Sequence, residues 1–207
     1  NETPILLGPD ISTTKPVLEK IADEKKSILH ITEKTNIIHE ILPEYQLNNW
    51  QTALKAVNII KEKYPVQLLE KNPSRYLTIK GRWQVLAENP KVIADIGHNA
   101  QGMAAIKEGL QKEKYNELHI IMGFSKDKDV SKILTLLPRA DYYYITKSKN
   151  ERSLDPKKID KKLDKKSEIF GKHSEAIKAA KTNAKANDLI LITGSAFLVG
   201  DILADFL

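Results

Sequence analysis

The chain has 207 residues, 41% of them apolar, with 33 Lys and Arg against 27 Asp and Glu for a net charge of +6, and no cysteine. That apolar share supports a folded core, either one large domain or two small ones, and no run is long enough to span a bilayer. Without cysteine, disulfides, thiolate metal sites and thiol nucleophiles are excluded. The positive balance suits anionic ligands such as nucleotides. A nucleic-acid surface would be expected to interleave arginine or aromatic residues. The densest lysine run, Lys157 to Lys166, instead mixes lysine with aspartate around Ile159 and Leu163, the pattern of a solvated amphipathic helix. No nucleic acid and no membrane is expected as partner, and the absence of cysteine is compatible with a cytoplasmic protein.

In chain order, Ile5 to Leu7 and Ser27 to Thr32 read as short strands. Between them, Lys15 to Lys25 reads as a helix started by Thr13 or Thr14 and Pro16. Gln46 to Lys63 reads as a longer helix with Leu47, Trp50, Ala53, Leu54, Val57 and Ile60 on its buried side, ended by Tyr64-Pro65. Residues 66 to 80 show little periodicity and read as a linker, with a domain boundary near residue 78. Gln84 to Ala87 and Val92 to Asp95 follow as strands around Asn89-Pro90.

Strand and helix then alternate to the end of the chain. The helices are expected at 100 to 112, Val130 to Leu137, Asp155 to Leu163, Ser174 to Thr182 and Ala196 to Phe206. The strands are expected at Glu117 to Gly123, Asp141 to Thr146, Glu168 to Phe170 and Leu189 to Thr193. Such alternation implies an α/β fold, a Rossmann-like and mostly parallel sheet covered on both faces.

The segment Gly81-Arg82-Trp83 through Asp95-Ile96-Gly97-His98-Asn99 to Met103 carries the most chemistry. Val92-Ile93-Ala94 is an apolar strand, and Met103, Ile106 and Leu110 share a helical face. Asp95, His98 and Asn99 therefore sit on a strand-to-helix turn. In open α/β sheets ligands bind at such strand ends, beside helix N-termini. A purely structural turn would need only a glycine and one capping residue.

This segment resembles the C-terminal domain of the folylpolyglutamate synthase/dihydrofolate synthase family of Mur-type ligases, in its Gly-Arg-aromatic motif, strand and Asp-x-x-His-Asn. Three further landmarks occur in family order: Gln46-Leu47-Asn48-Asn49, Asp127-Lys128-Asp129 after a strand, and Thr193-Gly194-Ser195 before the last helix. The resemblance implies residues 1–78 as the end of a central ATPase domain plus linker, and 79–207 as the Mur-type C-terminal domain. The phosphate-binding loop of the Gly-x-x-Gly-Lys-Ser/Thr type does not occur in these residues. The chain is therefore expected to be part of a longer enzyme and inactive alone, with ligands for Mg2+ lying upstream.

The resemblance further implies an ATP-dependent ligase that joins L-glutamate to folate through an acyl phosphate. It assigns Arg82 and Asp95 to the nucleotide, the first through its guanidinium and the second by accepting from ribose hydroxyls. Asn49, or Asn48 beside it, would read the adenine edge, with capping of the long helix as the alternative. His98 would donate to a phosphate or help position glutamate, and Ser195 would act on the glutamate side, with plain helix capping as its alternative. Asn99 is expected to cap the helix after it, and Asp129 the helix at Val130, unless Asp127 and Asp129 bind a metal. Only Arg152 is carried over from a family loop that usually reads Pro-Arg-Ala. Outside the motifs, His119 reads as a half-buried or strand-end histidine, and Trp50 and Trp83 as packing anchors. None of Arg82, Asp95 and His98 is expected in the core. A peptidoglycan-precursor Mur ligase and a non-catalytic nucleotide-binding module are the alternative functions.

Overall fold

Two strands, Leu118–Met122 (β5) and Leu189–Thr193 (β8), are buried along their whole length. Such double-sided burial is the mark of central strands in a parallel sheet. A computed structural model of the chain places them side by side and describes residues 3–9, 13–34, 43–66 and 79–206. The chain divides into two units, Asn1–Leu77 and Thr78–Leu207. Most of the segment read as a linker lies outside the described residues.

In the first unit, Ile5–Leu7 (β1) pairs in parallel with Leu29–Ile31 (β2), and the helix Lys15–Lys25 (α1) joins them. The long helix Glu44–Lys61 (α2) begins two residues earlier than expected, with Pro43 as its N-cap. Its buried face is narrower than the periodicity suggested. Gln46 and Leu47 are buried and Trp50, Leu54 and Val57 are half-buried, but Ala53 and Ile60 are exposed. Spacing marks which residues share a face, but burial depends on what packs against it.

The second unit is a six-stranded sheet of order β3-β4-β8-β5-β6-β7. Gln84–Glu88 (β3) runs antiparallel to Lys91–Ala94 (β4), and every other pairing is parallel, including those to Tyr142–Ile145 (β6) and Ser167–Ile169 (β7). Alternation along the strands splits the core into two layers. Ile93, Ile120, Met122, Ile145 and Leu191 face one layer, with Ala100–Leu110 (α3), Val130–Leu136 (α4) and Pro156–Asp160 (α5). Val92, Ile121, Tyr144, Ile190 and Ile192 face the other, with His173–Asn183 (α6) and Ala196–Phe206 (α7). The α/β, mostly parallel architecture is the expected one. Helix α5 is shorter than expected because the chain turns after Asp160 into β7. No described helix is long and apolar enough to cross a membrane.

This topology reverses its winding at one place. Strands β4, β5 and β6 each lead to helices on the first face. Strand β8 is inserted between β4 and β5 and leads to α7 on the second. In sheets of this winding, ligands bind at the carboxyl ends of strands flanking the reversal, here β4, β8 and β5.

Candidate functional site

Three turns meet at that reversal. The first is Gly81-Arg82-Trp83, ahead of β3. Gly81 has φ +75°, and a Cβ there would lie 2.7 Å from Val199 and 2.9 Å from Ile96, so the position requires glycine. Its carbonyl accepts from the Ile96 N–H at 2.8 Å. Trp83 also has positive φ, +52°, and its ring lies against the face of α3 at Gly109. Arg82 sits between these two buried anchors and is exposed.

The second turn runs from β4 into α3. Asp95 is 4% exposed, and both carboxylate oxygens accept main-chain N–H groups: Oδ2 from Trp83 at 2.9 Å, Oδ1 from Gly97 at 2.8 Å. One side chain therefore ties the Gly-Arg-Trp turn to the histidine turn. This corrects the expectation that Asp95 lies outside the core. His98 is half-buried, and its Nδ1 lies 2.9 Å from the Ile96 carbonyl. A carbonyl can only accept, so Nδ1 carries the proton and Nε2 of the neutral ring is an acceptor. Asn99 caps α3 as expected, its Oδ1 accepting from the Gly102 N–H at 2.8 Å.

The third turn follows β8. The Thr193 hydroxyl and the Gly194 N–H both donate to the Gly97 carbonyl, at 3.2 and 3.0 Å. Two neighbouring strand ends are thereby locked together across 96 residues. Ser195 is buried, and its Oγ accepts from the Phe197 N–H at 3.2 Å at the start of α7, which is the capping alternative read from the sequence. Arg82, Asp95, His98 and Ser195 thus belong to three turns stitched together at one end of the sheet. Asn49 belongs to the other unit. It is exposed, on the second turn of α2, and does not cap that helix.

Beside these turns, the loop after β5 is pinned to the loop after β6. Ser125 bridges Ser153, and the Lys126 N–H donates to the Arg152 carbonyl at 2.8 Å. Asp127 lies 3.5 Å from Arg152 and 3.4 Å from Lys128. Its own backbone N–H, together with those two cations, holds its carboxyl below the usual carboxylate range. Asp129 caps α4, with Oδ1 3.4 Å from the Lys132 N–H. The Arg152 guanidinium stands 5.9 Å from the Phe197 ring centroid, joining this loop to α7. A cleft of about 910 Å³ opens beyond it, lined by Lys126, Lys149 and Lys172 with Ser148, His173 and Asp205. Sequence reasoning missed this cationic cleft and the Thr193 lock. The signal for Thr193 was a hydroxyl closing an otherwise apolar strand.

Among the described residues, no group of three His or carboxylate side chains with metal-ligand spacing lies at these strand ends. The donor set present there does not fit a protein-held Mg2+.

A family model described as "Mur ligase, glutamate ligase domain" matches residues 81–196, more than half of the chain and all three turns. The chain belongs to the Mur ligase family. Among curated Mur-type relatives, a dihydrofolate synthase/folylpolyglutamate synthase of Buchnera aphidicola subsp. Schizaphis graminum is 25% identical over 208 residues. The match covers 90% of this chain and 50% of the relative. The chain thus spans about half the length of that relative. A solved Mycobacterium tuberculosis folylpolyglutamate synthase, complexed with ADP and AMPPCP, superposes with a TM-score of 0.82 at 19% identity. It covers 97% of this chain and 54% of that one. A bifunctional folylpolyglutamate synthase/dihydrofolate synthase with Mn, AMPPNP and L-glutamate bound has a TM-score of 0.77 at 20% identity, covering 93% and 51%. The Mur ligase sheet, mostly parallel with helices on both faces, is the fold these structures share with the chain.

Proposed function

We propose that this chain supplies the glutamate-ligase domain of an ATP-dependent enzyme that adds L-glutamate to a folate. It would be preceded by a central ATPase domain, of which residues 1–78 are the end, and would work as a cytoplasmic monomer. The observation that carries the reading is the stitching of the Arg82, His98 and Ser195 turns around Asp95 and the Gly97 carbonyl. It brings the turns that carry Arg82, His98 and Ser195 to one end of the sheet, the end where α/β sheets of this kind take ligands, and this supports the reading.

In this reaction the γ-phosphoryl of ATP passes to a folate carboxylate and ADP leaves. The amine of glutamate then attacks the acyl carbon, phosphate departs, the nitrogen loses a proton, and an amide remains. The planar Arg82 guanidinium can hold phosphate oxygens through two N–H groups. Asp95 is a nucleotide-side residue that also fixes the turn presenting Arg82. With Nδ1–H committed to Ile96, His98 offers Nε2 as an acceptor to the incoming amino group. Ser195 serves the glutamate side as a hydroxyl held at the mouth of α7. Asn49 is the adenine reader. When bound, Mg2+ would neutralise phosphate charge, and its ligands belong outside this strand-end site.

The test is steady-state kinetics of the longer enzyme carrying this chain, with ATP, a folate and glutamate as substrates. Arg82→Ala should lower kcat/KM by about 2–4 kcal/mol of transition-state stabilisation, as removal of a preorganised donor does. His98→Ala should raise KM for glutamate more than KM for ATP. Near-parental constants in both variants would reject the assignment. The 207-residue chain alone should form no amide.

A further inference from the structure

We propose that Glu117, His119 and Asp188 form a second site, for a Zn2+-class divalent cation, at the opposite end of the sheet from His98. Glu117 precedes β5, and His119 lies two residues on, so both point to the same sheet face. Asp188 precedes β8, and the register Leu118↔Leu189 sets Glu117 opposite Asp188. One ligand atom from each residue lies within 4.8 Å of the others.

The imidazole supplies the independent observation. His119 is completely buried, and its Nε2 has no hydrogen-bond partner. An unsatisfied buried nitrogen is costly, and native structures rarely leave one without a reason. The nearest acceptor, Asp188 Oδ2, is 3.6 Å away. That separation is too long for a hydrogen bond. It matches two atoms bound to one ion, because tetrahedral zinc at roughly 2.0–2.2 Å from each ligand spaces them about 3.3–3.6 Å apart.

The surroundings are those of a supported ligand set. His119 Nδ1 lies 3.1 Å from the Tyr144 hydroxyl, which also accepts from Asn183 Nδ2 at 3.1 Å. With Nδ1–H donating to that oxygen, the Nε2 lone pair is directed to the ion, as supporting groups do in metal sites. Tyr142 stacks on the ring at 4.6 Å and fixes its plane. The Asp188 carboxylate is oriented by the N–H groups of Lys185, at 2.7 Å, and Glu117, at 3.2 Å. Asp188 also lines a cleft of about 570 Å³, a route for the ion and for a water as fourth ligand. One imidazole with two carboxylates favours Zn2+ or Co2+ over Mg2+ or Ca2+, which prefer oxygen-only shells. A cation there would neutralise two carboxylates and clamp β5 to β8.

The experiment uses the 207-residue chain stripped of metal with EDTA and titrated with Zn2+ by calorimetry and with Co2+ by visible absorption. One equivalent should bind, Co2+ should show the spectrum of a four-coordinate ion, and Zn2+ should raise the melting temperature. Glu117→Gln, at a half-exposed position that tolerates an amide, and His119→Gln should each weaken binding at least about tenfold, the lower range for loss of even a supporting group. His98→Gln, at the other end of the sheet, should bind like the parent. Absence of stoichiometric binding in the parent would overturn the proposal. So would parental affinity in Glu117→Gln, or loss of binding in His98→Gln.

Discussion

The Asp95 carboxylate accepts from the Trp83 main-chain N–H at 2.9 Å, and this bond ties the turn before β3 to the turn after β4. The other carboxylate oxygen holds the Gly97 N–H. Asp95→Asn offers one acceptor for two donors and turns an NH2 group against a buried N–H. The variant should lose about 1–3 kcal/mol of folding stability, the cost of an unsatisfied buried donor. Urea unfolding of parent and variant checks this. An unchanged midpoint would mean that the two turns hold without the carboxylate, and Asp95 would then be wholly available to a ligand.

What the sequence made legible follows from where the physics is local. Leu189 to Thr193 is an apolar run closed by Gly194, and it forms a central strand with the expected bounds. Met103, Ile106 and Leu110 share one helical face and are buried together. The capping residues Asn99 and Asp129 were also readable, because a cap acts on N–H groups within its own turn. Asp95 was readable as a polar strand end. Its acceptors, however, are engaged partly by a turn that only the sheet brings alongside. His119, read as a strand-end or half-buried histidine, is the second residue of β5 and completely buried, because its strand face is covered by α6, a helix more than fifty residues later. The insertion of β8 between β4 and β5 sets where the winding reverses, and no local pattern encodes it.

Gly109 on α3 makes room for Trp83. A Cβ at this position would lie 2.3 Å from the indole ring. Gly109→Ala gains helix propensity, about 1 kcal/mol, but it overpacks a buried contact at a typical cost of about 1–3 kcal/mol. The net should be destabilising, because the ring is wedged between the helix and the Asp95-anchored turn. Chemical unfolding followed by Trp83 fluorescence in a Trp50→Phe background reads it. A gain in stability would show that the indole can shift without loss.

Gly194 closes β8 with φ +103°, and a Cβ there would meet the Gly123 carbonyl at 2.6 Å. Both the dihedral and the close approach to β5 exclude a side chain. Gly194→Ala should cost more than the roughly 1 kcal/mol typical of a point substitution, and should disturb the Gly194 N–H bond to Gly97. On the proposed function, KM for glutamate in the longer enzyme should rise, because that bond ties down the His98 turn. A variant with parental melting temperature and parental KM would dissociate this turn from the site.

The pH response of the apo chain should carry the signature of His119. Burial, the largest influence, pushes its pKa below the ordinary histidine value, while the charges of Asp188, Glu117 and Asp141 pull it the other way without prevailing. The unfolded chain therefore takes up this proton first as pH falls. Between the unfolded value, about 6.5, and the lower folded one, the unfolded state binds more protons, so stability falls with falling pH. Asp188 adds a second loss at lower pH. Its burial alone would raise the carboxyl, but the N–H groups of Lys185 and Glu117, together with His119, outweigh that and hold it below the ordinary range. Its contribution is therefore present above about 3.9 and disappears as pH drops through the depressed folded value. Urea midpoints measured in EDTA from about pH 8 down to about pH 5 isolate the histidine arm. The parent should lose stability across that window, and His119→Gln, which has nothing to protonate there, should lose markedly less. Parallel curves for parent and variant would mean that the buried imidazole accepts its proton as readily in the folded state as in the unfolded chain.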